Sequence, residues 1–275
     1  MQNFSYHTHT NFSDGCNSLE EMLEQAVALG WSKIGISDHL IIHKNVRQSP
    51  SFSLWQQSRN PAMYREDFDE AAAVFSAQRD RVRKIAEGYP IEVLFGAEVD
   101  FFGYSGWLDE FDKFYRKSGL DYCITGNHLL PLDGENILDM RQINLLDDAE
   151  KITAVKRHFQ NIYQAVCSER FLFLAHFDYV RQTEICDTMD FWEEKMSVIE
   201  ALQQHHVPTE LSTKGLRRGT DYYPAAPLLQ QMMQRRIPLI LSDDAHAPEE
   251  LGYHFTETEA YLAAKKYTVR FSGLK

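Results

Sequence analysis

The chain has 275 residues, of which 44% are hydrophobic, enough to form one large α/β domain over residues 1–275 and to bury a full core. Its 40 acidic side chains outnumber 28 Lys and Arg and give a formal net charge of -12, which repels phosphate backbones and anionic bilayers. This charge does not favour long nucleic acid as a partner, and no run approaches the roughly 20 apolar residues of a membrane span.

The 4 cysteines are widely scattered and contain no C-x-x-C pair, which predicts reduced thiols rather than a disulfide framework. The first functional motif begins at His7, so we expect no cleavable leader before it. The sequence therefore predicts a soluble cytoplasmic protein without a membrane partner. No feature of the sequence indicates an oligomeric state.

The opening strand, near residues 3–9, carries His7 and His9 one residue apart, with Asp14 just beyond. Side chains at i and i+2 of an extended strand point the same way, so both imidazoles reach one point from a single face. Imidazole and carboxylate together suit Zn, Fe, Mn or Ni. The pattern indicates a preformed metal chelate, although ordinary surface strands also produce His-x-His by chance.

The first helix follows directly and is marked by a capping box, with Ser18 as N-cap and Glu21 three residues later, and it ends at Gly30. Its apolar residues keep helical spacing, so we expect it to pack on the outside of a sheet. Later helices alternate with strands, as expected of repeated βα units, and are predicted over residues 64–87, 106–117, 147–168, 190–206 and 225–236.

Two long connections interrupt this alternation. Residues 41–63 are too long for a routine βα loop, and such a loop on an active rim often forms a lid or a substrate wall. The alternative is a surface excursion in which Trp55 and Phe52 pack locally. The second connection, residues 129–146, is similar in kind but offers less chemistry.

Apolar strands after the first are predicted near residues 33–38, 91–98, 121–127, 171–176, 207–212 and 237–242. Together with the opening strand they make about seven βα units, one short of the usual eight-stranded barrel. The tail after Val269 is expected to add a short terminal strand.

Acids and histidines recur where these strands end, at Asp38, His39, Glu98, His128, His176, Asp244 and His246. A hydrophobic strand has no packing reason to finish in such residues. In a barrel of parallel strands all carboxyl ends open on one rim, where catalytic groups gather. The sequence therefore predicts a shared site on that rim.

These motifs resemble, in order and over essentially the whole chain, those of the polymerase and histidinol phosphatase (PHP) superfamily. The matching segments are HTHTxxSDG, SDH, GAE, the histidine after the fourth strand, AHFD and SDDAH. The resemblance implies a distorted (β/α)7 barrel with a di- or trinuclear metal site at the carboxyl ends of the strands.

The resemblance also implies ligand sets for these ions. One set is His7, His9, Glu98 and Asp244, a second is Asp14, His39 and His246, and a third is Glu98 again with His128 and His176. Glu98 then bridges, because divalent cations a few Å apart need a shared carboxylate to offset their repulsion. We expect two or three ions of Zn, Mn or Fe, since these ligands accept all three metals.

Such ions lower the pKa of water to about 7, so a hydroxide held between them is available near neutral pH for in-line attack on phosphorus. The leaving alkoxide then needs a proton, for which Asp244, His246 or a bound water are the candidate donors. Neighbouring acids are expected to support the ligands, with Asp178 orienting His176 and Asp38 either orienting His39 or filling the barrel.

The segment ELSTKGLRRGTDYYP resembles the motif E-x-N-T-S-G-x-R of the histidinol phosphatase branch. The matching positions are Glu210, Thr213, Gly215 and Arg217, and the departures are Ser212 and Lys214. Arg217 offers a planar guanidinium that can bind two phosphate oxygens, and Lys214 would add a point charge on the same side. The alternative is that both residues belong to a solvated basic turn. His43 and Arg181 are further candidates for contact with substrate, against the alternative of simple exposure.

The sequence thus predicts a metal-dependent phosphomonoesterase that acts on a small phosphorylated metabolite. L-histidinol phosphate, hydrolysed to L-histidinol and phosphate, is the first candidate. The departures in the motif, and Asp14 where histidinol phosphatases often have histidine, leave two alternatives open. These are a PHP phosphoesterase for a sugar phosphate, a nucleotide or a short oligonucleotide, and a catalytically silent PHP binding module.

Overall fold

The computed structural model describes residues 2–49, 52, 63–131 and 137–267. The strands are β1 (Lys33–Ile36), β2 (His39–Ile42), β3 (Tyr64–Arg65), β4 (Glu92–Val99), β5 (Tyr122–Thr125), β6 (Leu129–Pro131), β7 (Ile137–Asp139), β8 (Thr209–Ser212) and β9 (Leu239–Ser242). The α-helices are α1 (Leu19–Ala28), α2 (Phe68–Ala86), α3 (Trp107–Ser118), α4 (Asp148–Cys167), α5 (Ile185–Thr188), α6 (Trp192–Gln204), α7 (Lys214–Arg217), α8 (Ala226–Gln234) and α9 (Phe255–Ala264).

The sheet is built around β4, which pairs in parallel with strands on both sides. Its first half pairs with β1, its last residues pair with β2, and its second half pairs with β5 on the opposite edge. All of these pairings are parallel, as the βα alternation predicts. The carboxyl ends of β1, β4 and β5 therefore open on the same side of the sheet.

Single parallel bridges extend this sheet around the molecule. Leu174 bridges Thr125 on one side and Thr209 on the other, β8 pairs with β9, and Thr8 bridges Ala245 beyond β9. The predicted strands near residues 3–9 and 171–176 are thus extended segments held by isolated bridges rather than full ladders. The result is a distorted α/β barrel, without a continuous closed ladder in the part of the chain that the structure describes.

The barrel interior is filled by an aromatic cluster at its centre. The rings of Tyr6 and Tyr122 are both buried. The Tyr122 hydroxyl donates to the backbone carbonyl of Tyr6 at 2.7 Å. A Cβ at Gly35 would lie 2.4 Å from the Tyr122 hydroxyl, and one at Gly96 would lie 2.6 Å from its carbonyl oxygen. Glycine is needed at both positions because the strands approach this ring too closely for any side chain.

The helices cover the outside of the sheet, and most begin and end as the sequence predicts. In α1, Ser18 and Glu21 form the expected capping box. In contrast, α2 begins at Phe68 instead of residue 64, because Tyr64–Arg65 pairs with β2 and Asp67 then accepts the Glu70 N–H as N-cap. Tertiary pairing overrides local helical spacing here.

Several elements were not predicted: the short strands β2, β3, β6 and β7, the one-turn helices α5 and α7, and α9. The second long connection contains the antiparallel pair β6 and β7, and the chain continues beyond β9 into α9. The first long connection begins within β2, which pairs with the last residues of β4. Phe52 packs edge-on against Tyr64 at 5.7 Å between ring centroids, while Trp55 and the expected strand after Val269 lie outside the described residues. Within the described part of the chain, the helices lack the combined length and apolarity needed to cross a bilayer.

Candidate metal centre

The predicted rim residues converge at one end of the sheet. His7 and His9 lie on the extended opening segment, and His39 is the first residue of β2. Glu98 lies near the end of β4, and the remaining candidates follow the carboxyl ends of later strands. Those remaining residues are His128, His176, Asp244 and His246.

Glu98 lies at the centre of the cluster with 1% of its surface exposed. Its two carboxylate oxygens lie between 2.7 and 3.8 Å from a ring nitrogen of each surrounding histidine, namely His7 (3.1 Å), His9 (3.4 Å), His39 (3.1 Å), His128 (3.8 Å) and His176 (2.7 Å). A buried carboxylate ringed by imidazoles has the geometry of a group shared between cations.

Asp14 forms a second focus on the solvent side of Glu98. Its Oδ1 lies 3.3 Å from His39 Nε2, 3.4 Å from His246 Nε2 and 3.9 Å from His9 Nδ1. His39 therefore lies between the two acids, with Nδ1 toward Glu98 and Nε2 toward Asp14. One imidazole contacts both foci, so the two form a single connected cluster.

Asp244 closes the third side of the cluster. Its Oδ1 lies 3.2 Å from His9 Nε2 and 3.6 Å from His7 Nε2, while its Oδ2 lies 2.6 Å from Lys214 Nζ. The backbone at Asp244 has φ 48°, and that at His176 has φ 21°. Residues other than glycine adopt such angles at a cost, and this strain concentrates at functional sites.

The side chains present fit a group of divalent ions. Buried polar atoms without a hydrogen bond to any described residue include His7 Nε2, both ring nitrogens of His9, Glu98 Oε2 and Asp244 Oδ1. Native proteins seldom leave such atoms unsatisfied, and imidazole with carboxylate is the donor set of Zn, Mn and Fe sites. The orphaned atoms face one another at the centre, where an ion would satisfy them.

Groups of ligand atoms that lie within 4.8 Å of one another define how ions could be shared. They are His9, Asp14, His39 and His246; His7, His9 and Glu98; His7, His176 and Asp244; and His39, Glu98 and His128. Compared with the expected sets, His9 joins the Asp14 group, and His176 lies with His7 and Asp244.

The protonation states within this cluster follow from burial and charge. Burial lowers the pKa of His39 to about 3, which keeps its ring neutral. Burial also opposes protonation of His128, but the carboxylates of Glu98 and Asp100 outweigh it and raise its pKa to about 9. For Glu98 itself burial raises the pKa, yet the nearby histidines, His7 first, hold it well below its usual range. The central carboxylate is therefore ionised.

Two buried acids outside the predicted set also contact the candidate ligands. Glu210 on β8 accepts from His7 Nδ1 at 2.7 Å, and Asp100, just after β4, contacts His128 Nδ1 at 3.1 Å. Glu210 appears in the motif that carries the resemblance, and Asp100 follows Glu98 by two residues. Both signals were visible in the sequence, but neither residue was assigned a role.

The expected supporting acids differ from prediction. Asp178 accepts from Arg181 at 3.2 Å and from the Ala225 N–H at 3.1 Å, whereas the backbone N–H of His176 donates to Glu210. Asp38 accepts from Thr10 and from the Ser13 hydroxyl at 2.7 Å. Asp38 thus holds the loop that presents Asp14, instead of orienting His39.

A cavity of about 350 Å³ opens over the cluster. Its lining combines candidate ligands with basic residues, one tyrosine and one further acid, and consists of Asp14, His39, His128, Tyr179, Lys214, Arg217, Arg218, His246 and Glu250. Arg218 and Tyr179 were missed from sequence, since neither belongs to a matched motif position. The basic residues face the same space as the candidate ligands, as recognition of an anion requires.

The structure brings two of the predicted substrate residues to this cavity and places the other two elsewhere. Lys214 and Arg217 line it, and Arg217 also donates to the carbonyls of Asp243 and Asp244. Arg181 lies outside the cavity lining and donates to the carbonyls of Asp221 and Tyr222. His43 lines a separate cavity beside Lys44, with its ring 5.0 Å from that of Phe102.

The PHP domain family model matches residues 5–214. This chain belongs to the PHP domain family. It is 21% identical over 261 residues to the Schizosaccharomyces pombe protein named "Probable histidinol-phosphatase", with 89% of this chain and 80% of the relative covered. It is 23% identical over 281 residues to Histidinol-phosphatase of Bacillus subtilis, with 95% and 99% covered.

The fold of this PHP domain is shared with a solved structure. The crystal structure of hisK from Listeria monocytogenes matches with a TM-score of 0.67 at 15% identity, covering 92% of this chain and 99% of that one. At this identity the match establishes the fold, which agrees with the expected distorted barrel of the PHP type.

Proposed function

We propose that this PHP domain is a metal-dependent phosphomonoesterase that hydrolyses L-histidinol phosphate to L-histidinol and phosphate. The observation that carries the proposal is the convergence of orphaned imidazole and carboxylate atoms around Glu98, beneath a cavity lined by cations. The two relatives named as histidinol-phosphatases support the choice of substrate.

The ions would be held by His7, His9, Asp14, His39, Glu98, His128, His176 and Asp244, with Glu98 shared, and His246, expected as a ninth ligand, would complete the Asp14 group only while it does not carry a proton for the leaving group. Two or three divalent ions, of Zn, Mn or Fe, would activate water as a nucleophile and neutralise charge on the phosphoryl group. The protein's own contribution is to fix these ligands on rigid strand ends. Their burial keeps the ligand atoms themselves away from bulk water.

Basic side chains of the cavity bind the phosphoryl group. Lys214 supplies a point charge beside Asp244, and Arg217 and Arg218 present guanidinium groups on the same wall. Arg217 is ion-paired with Glu250 at 3.1 Å, whereas no described carboxylate lies within 4.0 Å of Arg218. Arg218 is therefore the cation most available to the substrate.

His246 is the proposed proton donor to the leaving alkoxide: its Nε2 then carries the transferred proton, and the ion of the Asp14 group would be held by His9, Asp14 and His39. It lines the cavity with 19% of its side chain exposed, whereas Asp244 is 1% exposed and lies behind Lys214. Its Nδ1 lies 3.0 Å from the Asp244 carbonyl, which directs Nε2 toward Asp14 and the cavity. Glu250, the acidic cavity residue outside the candidate ligand set, is the proposed contact for the ammonium group of the substrate; its Oε2 also accepts from the His246 N–H and pairs with Arg217.

The test is a turnover screen of phosphorylated metabolites with protein reconstituted in Mn, Zn or Fe. We expect L-histidinol phosphate to exceed the other compounds by at least about tenfold in kcat/KM, and a chelator to remove the activity. His9→Ala should lower kcat/KM by at least about a hundredfold, because it removes two orphaned nitrogens from the centre. The matched control is His205→Ala, a partly exposed histidine paired with Glu169.

The outcomes of this screen separate the alternatives. A preference for another phosphate removes the substrate assignment and leaves the phosphoesterase intact. Absence of turnover with every metal and pH, including p-nitrophenyl phosphate as substrate, favours a silent binding module.

Lys214 favours a second candidate substrate class, small phosphates that carry additional negative charge. Its side chain, 12% exposed, lies where the histidinol phosphatase motif has serine, and it adds a cation to the cavity wall. If Lys214 binds the phosphoryl group of histidinol phosphate, Lys214→Ser should lower kcat/KM by about 10- to 100-fold, as expected for a lost charge-assisted hydrogen bond.

Steady-state kinetics on histidinol phosphate and on a diphosphorylated sugar decide between the two classes. An unchanged or improved kcat/KM for histidinol phosphate, with loss for the diphosphate, supports the second class. Lys156→Ser, an exposed lysine on α4, serves as the control.

A further inference from the structure

Glu210 is a buried carboxylate that contacts two candidate ligands and a residue two positions before a third. It has 0% of its surface exposed. Its Oε1 accepts from His7 Nδ1 at 2.7 Å and from the hydroxyl of Ser242, which lies two residues before Asp244. Its Oε2 accepts from the backbone N–H of His176 at 2.7 Å.

Among the residues that the structure describes, Glu210 has no lysine or arginine within 4.0 Å of its carboxylate to neutralise its charge, and its one ionisable partner there is the His7 ring. A carboxylate buried without a cation is costly, and hydrogen bonds from fixed donors are what offset that cost. All of its donors belong to segments that present the metal centre.

We infer that Glu210 is the positioning residue of this centre: it accepts the Nδ1–H of His7 and so directs His7 Nε2 at Glu98 and Asp244. This inference rests on the metal centre of the proposed function. A hydrogen bond to one ring nitrogen fixes the tautomer and leaves the other nitrogen free as a ligand. In the structure, His7 Nε2 is that free atom, buried and without a hydrogen bond to any described residue.

The bond to the His176 backbone extends the role of Glu210 to a second candidate ligand. His176 has φ 21°, a conformation that persists when surrounding contacts hold it. Glu210 supplies one such contact from the neighbouring segment. It thereby ties His7, on the opening segment, to the strained backbone that carries His176.

The opposite side of the cluster has the same arrangement with a different acid. Asp100 accepts from both the backbone N–H and Nδ1 of His128, so that Nε2 of this ring faces Glu98 at 3.8 Å. The repetition just after a different strand, β4, shows that Nδ1 of two candidate ligands, His7 and His128, contacts a buried carboxylate outside the candidate ligand set.

The first test uses the wild-type protein loaded with zinc and labelled with 15N-histidine. We expect the 15N spectrum to show His7 with a protonated Nδ1 and a zinc-bound Nε2, assigned by comparison with His7→Gln. A His7 ring with a protonated Nε2, or with zinc on Nδ1, overturns the inference.

The second test measures zinc affinity by competition with a chromophoric chelator. Glu210→Gln keeps the size of the side chain but replaces one of its two acceptor oxygens by an NH2 group. That NH2 group then faces a second donor, either His7 Nδ1–H or the His176 N–H. We expect the zinc dissociation constant to rise about 10- to 100-fold, the usual effect of losing a partner of a metal-bound histidine. Wild-type affinity in a folded Glu210→Gln protein overturns the inference.

The matched control is Asp178→Asn, which alters another buried carboxylate near the rim. Asp178 contacts Arg181 and the Ala225 N–H, so its substitution should change zinc affinity by no more than about twofold. An equal loss in both variants indicates a general packing defect and counts against the inference. Neither test requires turnover. A protein that binds zinc but hydrolyses no phosphate therefore contradicts the proposed phosphatase activity without contradicting the role of Glu210.

Discussion

Replacing Glu98 by Gln is expected to remove more than one metal ion per chain and to lower phosphatase kcat/KM by at least about a thousandfold, or about 4 kcal/mol of transition-state stabilisation. The carboxylate lies within 3.8 Å of ring nitrogens from every side of the centre. An amide carries no charge, so it cannot offset repulsion between neighbouring cations. Metal content by mass spectrometry and turnover of p-nitrophenyl phosphate measure the two effects.

Glu92→Gln is the matched control for this substitution. Glu92 lies on the same strand, has a 55% exposed side chain and pairs with Lys33 on the surface. It should retain full metal content and activity, since exposed ion pairs contribute about 1 kcal/mol or less. A Glu98→Gln protein that keeps wild-type metal content would show that Glu98 is not a shared ligand.

The second large effect is expected from Gly126→Ala, which changes no candidate ligand. A Cβ at this position would lie 2.2 Å from Glu98 Oε1 and 2.4 Å from His176 Cε1. Both neighbours are buried and held by other contacts, so the added methyl group displaces them from the centre. We expect metal affinity to fall by at least about a hundredfold and the protein to lose about 1–3 kcal/mol of stability through overpacking.

Gly88→Ala provides the comparison, because its added Cβ would meet its nearest atom at 3.5 Å, an ordinary contact. Chelator competition and thermal unfolding of the two variants separate metal loss from destabilisation. Unchanged metal affinity in Gly126→Ala would contradict the close packing of Glu98 and His176 around this glycine.

The positions of the candidate ligands could be predicted from sequence because they depend on a simple property of parallel strands. His128 follows β5 and Asp244 follows β9, and the carboxyl ends of such strands meet on one side. The spacing of two residues along the opening segment also predicts that the side chains of His7 and His9 point the same way. That these residues bind metal ions is a separate claim from where they lie, and it stays a prediction.

The supporting carboxylates were missed because their role depends on which residue each one faces across the sheet. Glu210 contacts His7, which lies 203 positions earlier in the chain. Spacing along the sequence therefore cannot predict this contact. The same reason explains Asp178: it follows His176 closely in sequence, but its carboxylate faces Arg181 and Ala225. Proximity in sequence was a poor guide to contact in both cases.

Boundaries set by tertiary contacts were also beyond sequence reasoning. Helical spacing continues back to Tyr64, but pairing of Tyr64–Arg65 with β2 delays the start of α2 to Phe68. Among the basic residues, Arg218 lines the cavity without a described carboxylate within 4.0 Å, whereas Arg181 lies outside the lining and donates to backbone carbonyls. Arg217 lines the cavity and also donates to the carbonyls of Asp243 and Asp244. Only the folded chain separates an arginine that is available to a ligand from one that holds a loop.

The most direct test of the account is anomalous X-ray diffraction from crystals of the wild-type protein grown with zinc or manganese. We predict at least two ions per chain, each bonded to imidazole nitrogens, with Glu98 coordinating more than one of them. Crystals in which ions bind elsewhere, or in which the space around Glu98 holds only water at saturating metal, would contradict the central claim.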